Sequence, residues 1–81
     1  MKLQVRYCPT WDGYDKAAQA VHFEVMKSIF DKDLSRSISV AIKEGDKGEF
    51  TISLDDDIIF DKSETDRFPE DKEIVKLLKK V

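Results

Sequence analysis

Leu3, Val5 and Tyr7 alternate with Lys2, Gln4 and Arg6, and the same period of two returns at Ile38, Val40 and Ile42 after a stretch of helical spacing. This interleaving restricts the fold more than any other feature of the chain. Period-two alternation marks a strand with one buried face. Between the two strands, Tyr14, Ala18, Val21, Val25 and Ile29 recur at the spacing of one helix face, which predicts a helix from about Tyr14 to Phe30 after an Asp12-Gly13 turn. A helix joining two strands of one sheet makes them parallel, with a right-handed crossover. Phe23, Met26 and Phe30 form a second stripe, read as lying beside the first and widening the apolar arc of the helix.

The second strand is expected over about Ser37 to Lys43, with Glu44-Gly45-Asp46-Lys47-Gly48 as a glycine-rich turn after it. Phe50, Ile52 and Leu54 alternate with Glu49, Thr51 and Ser53. Asp55-Asp56-Asp57 then turns the chain into Ile58-Ile59-Phe60, so these two strands form a hairpin. Residues 61–67 read as a polar loop. Phe68-Pro69-Glu70-Asp71 is expected to open a last helix, with proline in its first turn and acids favouring the dipole, and Lys76, Lys79 and Lys80 complement the other end. Its buried stripe is Ile74, Val75, Leu77, Leu78 and Val81. The order is therefore β-α-β-β-β-α. Three strands show one apolar and one polar face, so the fold class is α/β: a two-layer sandwich in which both helices cover one face of a four-stranded mixed sheet.

The 81 residues fit a single domain, 1–81, with a small core, because a chain this short buries only about 60% of its unfolded surface. A net charge of −3 gives no electrostatic ground for nucleic acid or an anionic membrane as a partner. No apolar run approaches the roughly 20 residues of a membrane span, and the N-terminus has no signal-peptide core. One cysteine cannot form an internal disulfide, which fits a reducing compartment and a cytoplasmic location.

That cysteine stands in Tyr7-Cys8-Pro9-Thr10-Trp11, where the first strand ends and the helix is about to begin. A thiol meeting the positive end of a helix has a lowered pKa and reacts as thiolate. A second thiol three residues on would complete a Cys-x-x-Cys pair, but Trp11 holds that position. Dithiol exchange is excluded, since a single thiol has no internal resolving partner. Cys8 itself reads either as a lone nucleophile or as a small hydrophobe closing a buried strand. Trp11 covers Cys8, anchors a partner, or packs on Tyr14. His22, the only histidine, reads as a half-buried structural residue well along the helix, and with Cys8 it makes too few ligands for a structural zinc. No metal site is expected. Asp55-Asp56-Asp57 lacks the glycine and distal glutamate of a calcium loop, and Gly45 and Gly48 span a hairpin turn rather than a phosphate loop.

Three patches resemble the selenoprotein W family, the Rdx (SelT/SelW/SelH) group of thioredoxin-like proteins. Val5-Arg6-Tyr7-Cys8 followed by Ala17-Ala18 is similar to the family's opening V-x-Y-C-x-x-C (or selenocysteine) and its helix. Gly48-Glu49-Phe50-Thr51-Ile52 with Asp55-Asp56-Asp57-Ile58-Ile59 is similar to its G-x-F-x-V strand and hairpin, and Asp66-Arg67-Phe68-Pro69 to its G-x-F-P lead-in to the last helix. The resemblance spans nearly the whole chain. It implies a thioredoxin-like fold, a part in cell redox homeostasis, and exchange with protein thiols or glutathione. Cys8 takes the first motif position, and Pro9, Thr10, Trp11 and Gly13 form the motif loop. The second motif position, cysteine or selenocysteine in active members, is Trp11, so the CxxC motif is degenerate.

Two functions stay open, and with them whether the chain is an enzyme. One is single-cysteine thiol exchange through Cys8, with glutathione as co-substrate and no bound cofactor. The other is a redox-inactive thioredoxin-like interaction module. It would meet a protein partner or a second copy through Trp11, the bare sheet face, or Phe23, Met26 and Phe30 should these not pack on the last helix.

Overall fold

A computed structural model describes residues 1–70 and 72–80. The elements are β1 (Lys2–Tyr7), α1 (Tyr14–Phe30), β2 (Ser39–Glu44), β3 (Phe50–Leu54), β4 (Asp57–Asp61), α2 (Lys62–Thr65) and α3 (Glu73–Lys79). Alternation along β1 sends Leu3 and Val5 to one face, and both are wholly buried. β1 lies between β2 and β3 in a four-stranded sheet of order β2-β1-β3-β4. It runs parallel to β2, with Leu3 beside Val40 and Val5 beside Ile42. Against β3 it is antiparallel, with Leu3 opposite Leu54, Val5 opposite Ile52 and Tyr7 opposite Phe50.

This register gathers the apolar rows on one side of the sheet. Tyr14, Ala18, Val21 and Val25 of α1 and Ile74, Val75 and Leu78 of α3 bury themselves in the same core. The result is the expected thioredoxin-like mixed sheet with α1 and α3 packed into one core. Gln4, Arg6, Thr51 and Ser53 lie on the other face, where Ile58 also falls because it pairs with Ser53 across a bulge between Ile52 and Ser53. Ile58 is accordingly 63% exposed.

Local chemistry moves several boundaries. The hairpin turn is Asp55-Asp56 alone, with φ of 51° and 74°, the two left-handed residues of a type I′ turn, and Asp57 already belongs to β4. β2 begins at Ser39 rather than Ser37, because Ser35 Oγ draws Ser37 into a turn through its N–H and hydroxyl. Residues 61–67 are not simply a loop. The Asp61 carboxylate accepts from Ser63 N at 2.9 Å and Ser63 Oγ at 2.7 Å, and caps the one-turn helix α2.

The last helix does not open at Phe68 but at Glu73. Pro69 disfavours helical backbone at Phe68. The Glu73 carboxylate then holds the preceding segment, taking Arg67 Nη1 and Nη2 at 2.7 and 3.2 Å and Glu70 N at 2.9 Å. Asp71 of the expected opening and Val81 of the expected stripe fall outside the described residues.

The second stripe of α1 lies on the back of the helix. At about 100° per residue, Phe23 and Phe30 stand roughly 160–180° from Tyr14. They pack on neither layer: Phe23 is 68%, Met26 45% and Phe30 84% exposed.

Candidate functional site

β1 carries the chain to Cys8 at the middle of the sheet, one residue past the end of the strand. Cys8 N donates to Glu49 O at 2.8 Å, which extends the ladder with β3 by one step. Pro9 and Thr10 beyond it are exposed, yet Cys8 is only 1% exposed. Its sulfur meets Thr10 Oγ1 at 3.4 Å. Burial pushes the thiol pKa up, but this is outweighed by the Thr10 hydroxyl and by the backbone groups of Gly48, Thr10 and Trp11 that hydrogen-bond the sulfur, and the pKa falls from an ordinary 9.0 to about 7. Cys8 is thus about half thiolate at neutral pH.

The donors are loop groups rather than the first turn of the helix. α1 starts six positions on, behind Gly13 at φ 84°, and Trp11 O and Gly13 O accept from Tyr14 N at 3.4 Å and Ala17 N at 3.0 Å. The role expected of the helix end therefore passes to the motif loop and to Gly48. Gly48 was legible only as a turn residue and as the first position of the G-x-F patch.

Trp11 lies against that same glycine. A Cβ at Gly48 would stand 3.0 Å from Trp11 Cη2 and 3.2 Å from Cζ3, at φ 76°. Gly48→Ala should therefore cost about 1–2 kcal/mol, from the left-handed backbone and from displacement of the indole. Urea unfolding checks the loss, and a change below about 0.5 kcal/mol would mean that the turn does not need glycine.

Below the indole an aromatic layer supports the loop. Trp11 meets Tyr14 edge-on at 5.5 Å, Tyr14 meets Phe68 at 4.9 Å, and Phe68 meets Phe50 at 5.2 Å. Lys62 Nζ stands 5.4 Å from the Tyr14 ring centre and 5.1 Å from that of Phe68. Neither Lys62 nor the ring partnership of Phe68 shows in the sequence pattern, because α2 and the last loop bring them here from far along the chain.

The structure gathers Cys8, Pro9, Thr10, Trp11 and Gly13 into one loop. It separates them from the outer row of α1, whose Phe30 sits about 24 Å along the helix axis from Tyr14. His22 is half-buried on α1. Among the described residues, no group of three or more His, Cys, Asp or Glu is placed to hold a metal ion, and no helix is long and apolar enough to cross a membrane. Compared with known proteins, residues 2–80 match the model of the Rdx family. No curated protein matches the chain.

Proposed function

The chain belongs to the Rdx family, and from that premise we propose that it is a single-cysteine thiol exchanger with Cys8 as the attacking sulfur. The observation that carries the reading is the set of donors around Cys8, which holds its pKa at about 7 although the residue is buried. In the reaction the Cys8 thiolate attacks one sulfur of a disulfide. An S–S bond forms to Cys8, the original S–S bond breaks, and the other sulfur leaves as thiolate. An external thiolate then attacks the mixed disulfide, takes up its group and releases Cys8 as thiolate again. Oxidised glutathione or a protein disulfide is the substrate class, and a reducing cytoplasm supplies the second thiol.

Incubation with oxidised glutathione followed by intact-mass measurement tests this. One glutathione adduct is expected on the native chain, reversed by added thiol and absent from Cys8→Ser. A native chain that gains no adduct at pH 8 would dismiss the reading.

One observation favours a second reading, a redox-inactive interaction module. Phe23, Met26 and Phe30 form an exposed apolar row on α1. Under that reading Cys8→Ser leaves partner binding intact, and binding falls instead with Phe23→Ser or Phe30→Ser.

A further inference from the structure

The turn from Gly45 to Glu49 is tied to the end of β1 and to the motif loop. Gly45 N donates to Tyr7 O at 2.7 Å, Cys8 N donates to Glu49 O at 2.8 Å, and Gly48 lies against the Trp11 ring. Gly48 also supplies one of the backbone groups that hydrogen-bond the Cys8 sulfur. Its two glycines leave such a turn loose unless other bonds close it. Glu49 closes it with its own side chain. Its Oε1 accepts from Asp46 N at 2.8 Å, while Glu49 N donates to Asp46 O at 3.0 Å. Its Oε2 accepts from Thr51 Oγ1 at 2.8 Å and stands 3.6 Å from Arg6 Nε. Gly45 leaves the room for this carboxylate. A Cβ there would fall 2.6 Å from Glu49 Oε1, although the φ of Gly45 is not positive. That glycine therefore serves the carboxylate rather than the backbone.

We propose that Glu49 is a positioning residue for Cys8: its carboxylate, seated against Gly45, clamps the turn so that Gly48 and the Glu49 carbonyl stand in place beside the cysteine. It acts through the backbone of the turn. The proposal rests on the thiol-exchange reading and adds the residue that holds the same site in order. A carboxylate acting only by its charge would oppose the thiolate, so deleting it would lower the titration midpoint of Cys8. A clamp has the opposite sign, because deleting it frees Gly48 and raises the midpoint.

Titration of the Cys8 thiolate by its ultraviolet absorbance tests this in the native chain, Glu49→Ala, Glu49→Gln and Gly45→Ala. Each chain is read against its Cys8→Ser counterpart, and circular dichroism checks the fold. Glu49→Ala should raise the midpoint from about 7 by about half a unit or more, which about halves the thiolate fraction at neutral pH. Glu49→Gln keeps an acceptor for Asp46 N and should not raise it. Gly45→Ala displaces the carboxylate and should match Glu49→Ala, with no further shift in the double variant. A midpoint in Glu49→Ala or Gly45→Ala that stays put or falls overturns the clamp. So does a rise in Glu49→Gln as large as that in Glu49→Ala. If Glu49→Ala does not fold, Glu49→Gln and Gly45→Ala decide by the same signs. None of these titrations needs glutathione. Raised midpoints in a chain that takes no glutathione adduct keep the clamp and remove the exchange reading, whereas a ready adduct with unmoved midpoints does the reverse.

Discussion

Phe50→Ala is expected to destabilise the fold by about 3–5 kcal/mol. Phe50 is the largest of the fully buried side chains, at 1% exposure. Its ring meets Tyr14 at 6.3 Å, Phe60 at 6.4 Å and Phe68 at 5.2 Å, each edge-on. Those neighbours come from α1, β4 and the loop before α3, so removing the ring opens a cavity that three elements would have to close at once. Collapse on that scale is hindered by the ladder that fixes Phe50 opposite Tyr7. A chain of 81 residues has a total stability of about 4–12 kcal/mol. The variant therefore loses a quarter of it or more. The effect should also reach the site, since Gly48 and Glu49 immediately before Phe50 contact Cys8. Urea unfolding monitored by Trp11 fluorescence gives the measurement. A loss below about 1.5 kcal/mol would mean that the aromatic layer is not the keystone of the core.

Thr10→Val should raise the titration midpoint of Cys8 and slow its reaction at neutral pH. The Thr10 hydroxyl is the foremost of the groups that lower the thiol pKa, and valine keeps its shape while removing the donor. A rise of about one unit would cut the thiolate fraction at pH 7 from about a half to about a tenth, a roughly fivefold loss of rate. Thr10 is exposed, so the substitution should leave the fold in place. The same shift couples thiolate formation to folding. The folded-state pKa, about 7, lies below the ordinary 9.0. This contribution to stability is full above pH 9 and is lost as the pH falls through 7. In Thr10→Val the window narrows from its lower end. An unchanged midpoint in this variant would assign the lowered pKa to the backbone donors alone.

Much of the fold was legible because two periods do not resemble each other. Leu3 and Val5, then Phe50, Ile52 and Leu54, could face only one way in a sheet, and the stripe from Tyr14 to Val25 could only be helical. The failures are local or depend on distance. The run Asp61-Lys62-Ser63-Glu64 carries an N-cap acid with a glutamate three residues on, the signal of a helix start. With one turn and no buried residue, α2 has no apolar face to display a period, so the run reads as a polar loop. Phe68 and Pro69 looked like a helix opening, but tertiary contacts decided otherwise: the Phe68 ring is held between Tyr14 and Phe50. Phe23, Met26 and Phe30 read as a stripe beside the core one because all three are apolar, but helical geometry turns them away from it.

The site divides in the same way. Cys8 and its loop were visible as a motif, because a strand, a thiol and a helix follow one another in sequence. The Gly48 donor was not, since it comes from a turn 40 positions on that only the β1–β3 pairing brings back. Nor did the spacing say that Trp11 would settle on that glycine.

The rate at which the native chain acquires a glutathione adduct on Cys8, followed from pH 5 to pH 10 by intact mass, tests single-cysteine exchange most directly. The rate should rise through a midpoint of about 7 and level off above it. A midpoint close to the ordinary 9.0, or no adduct at any pH, would contradict it.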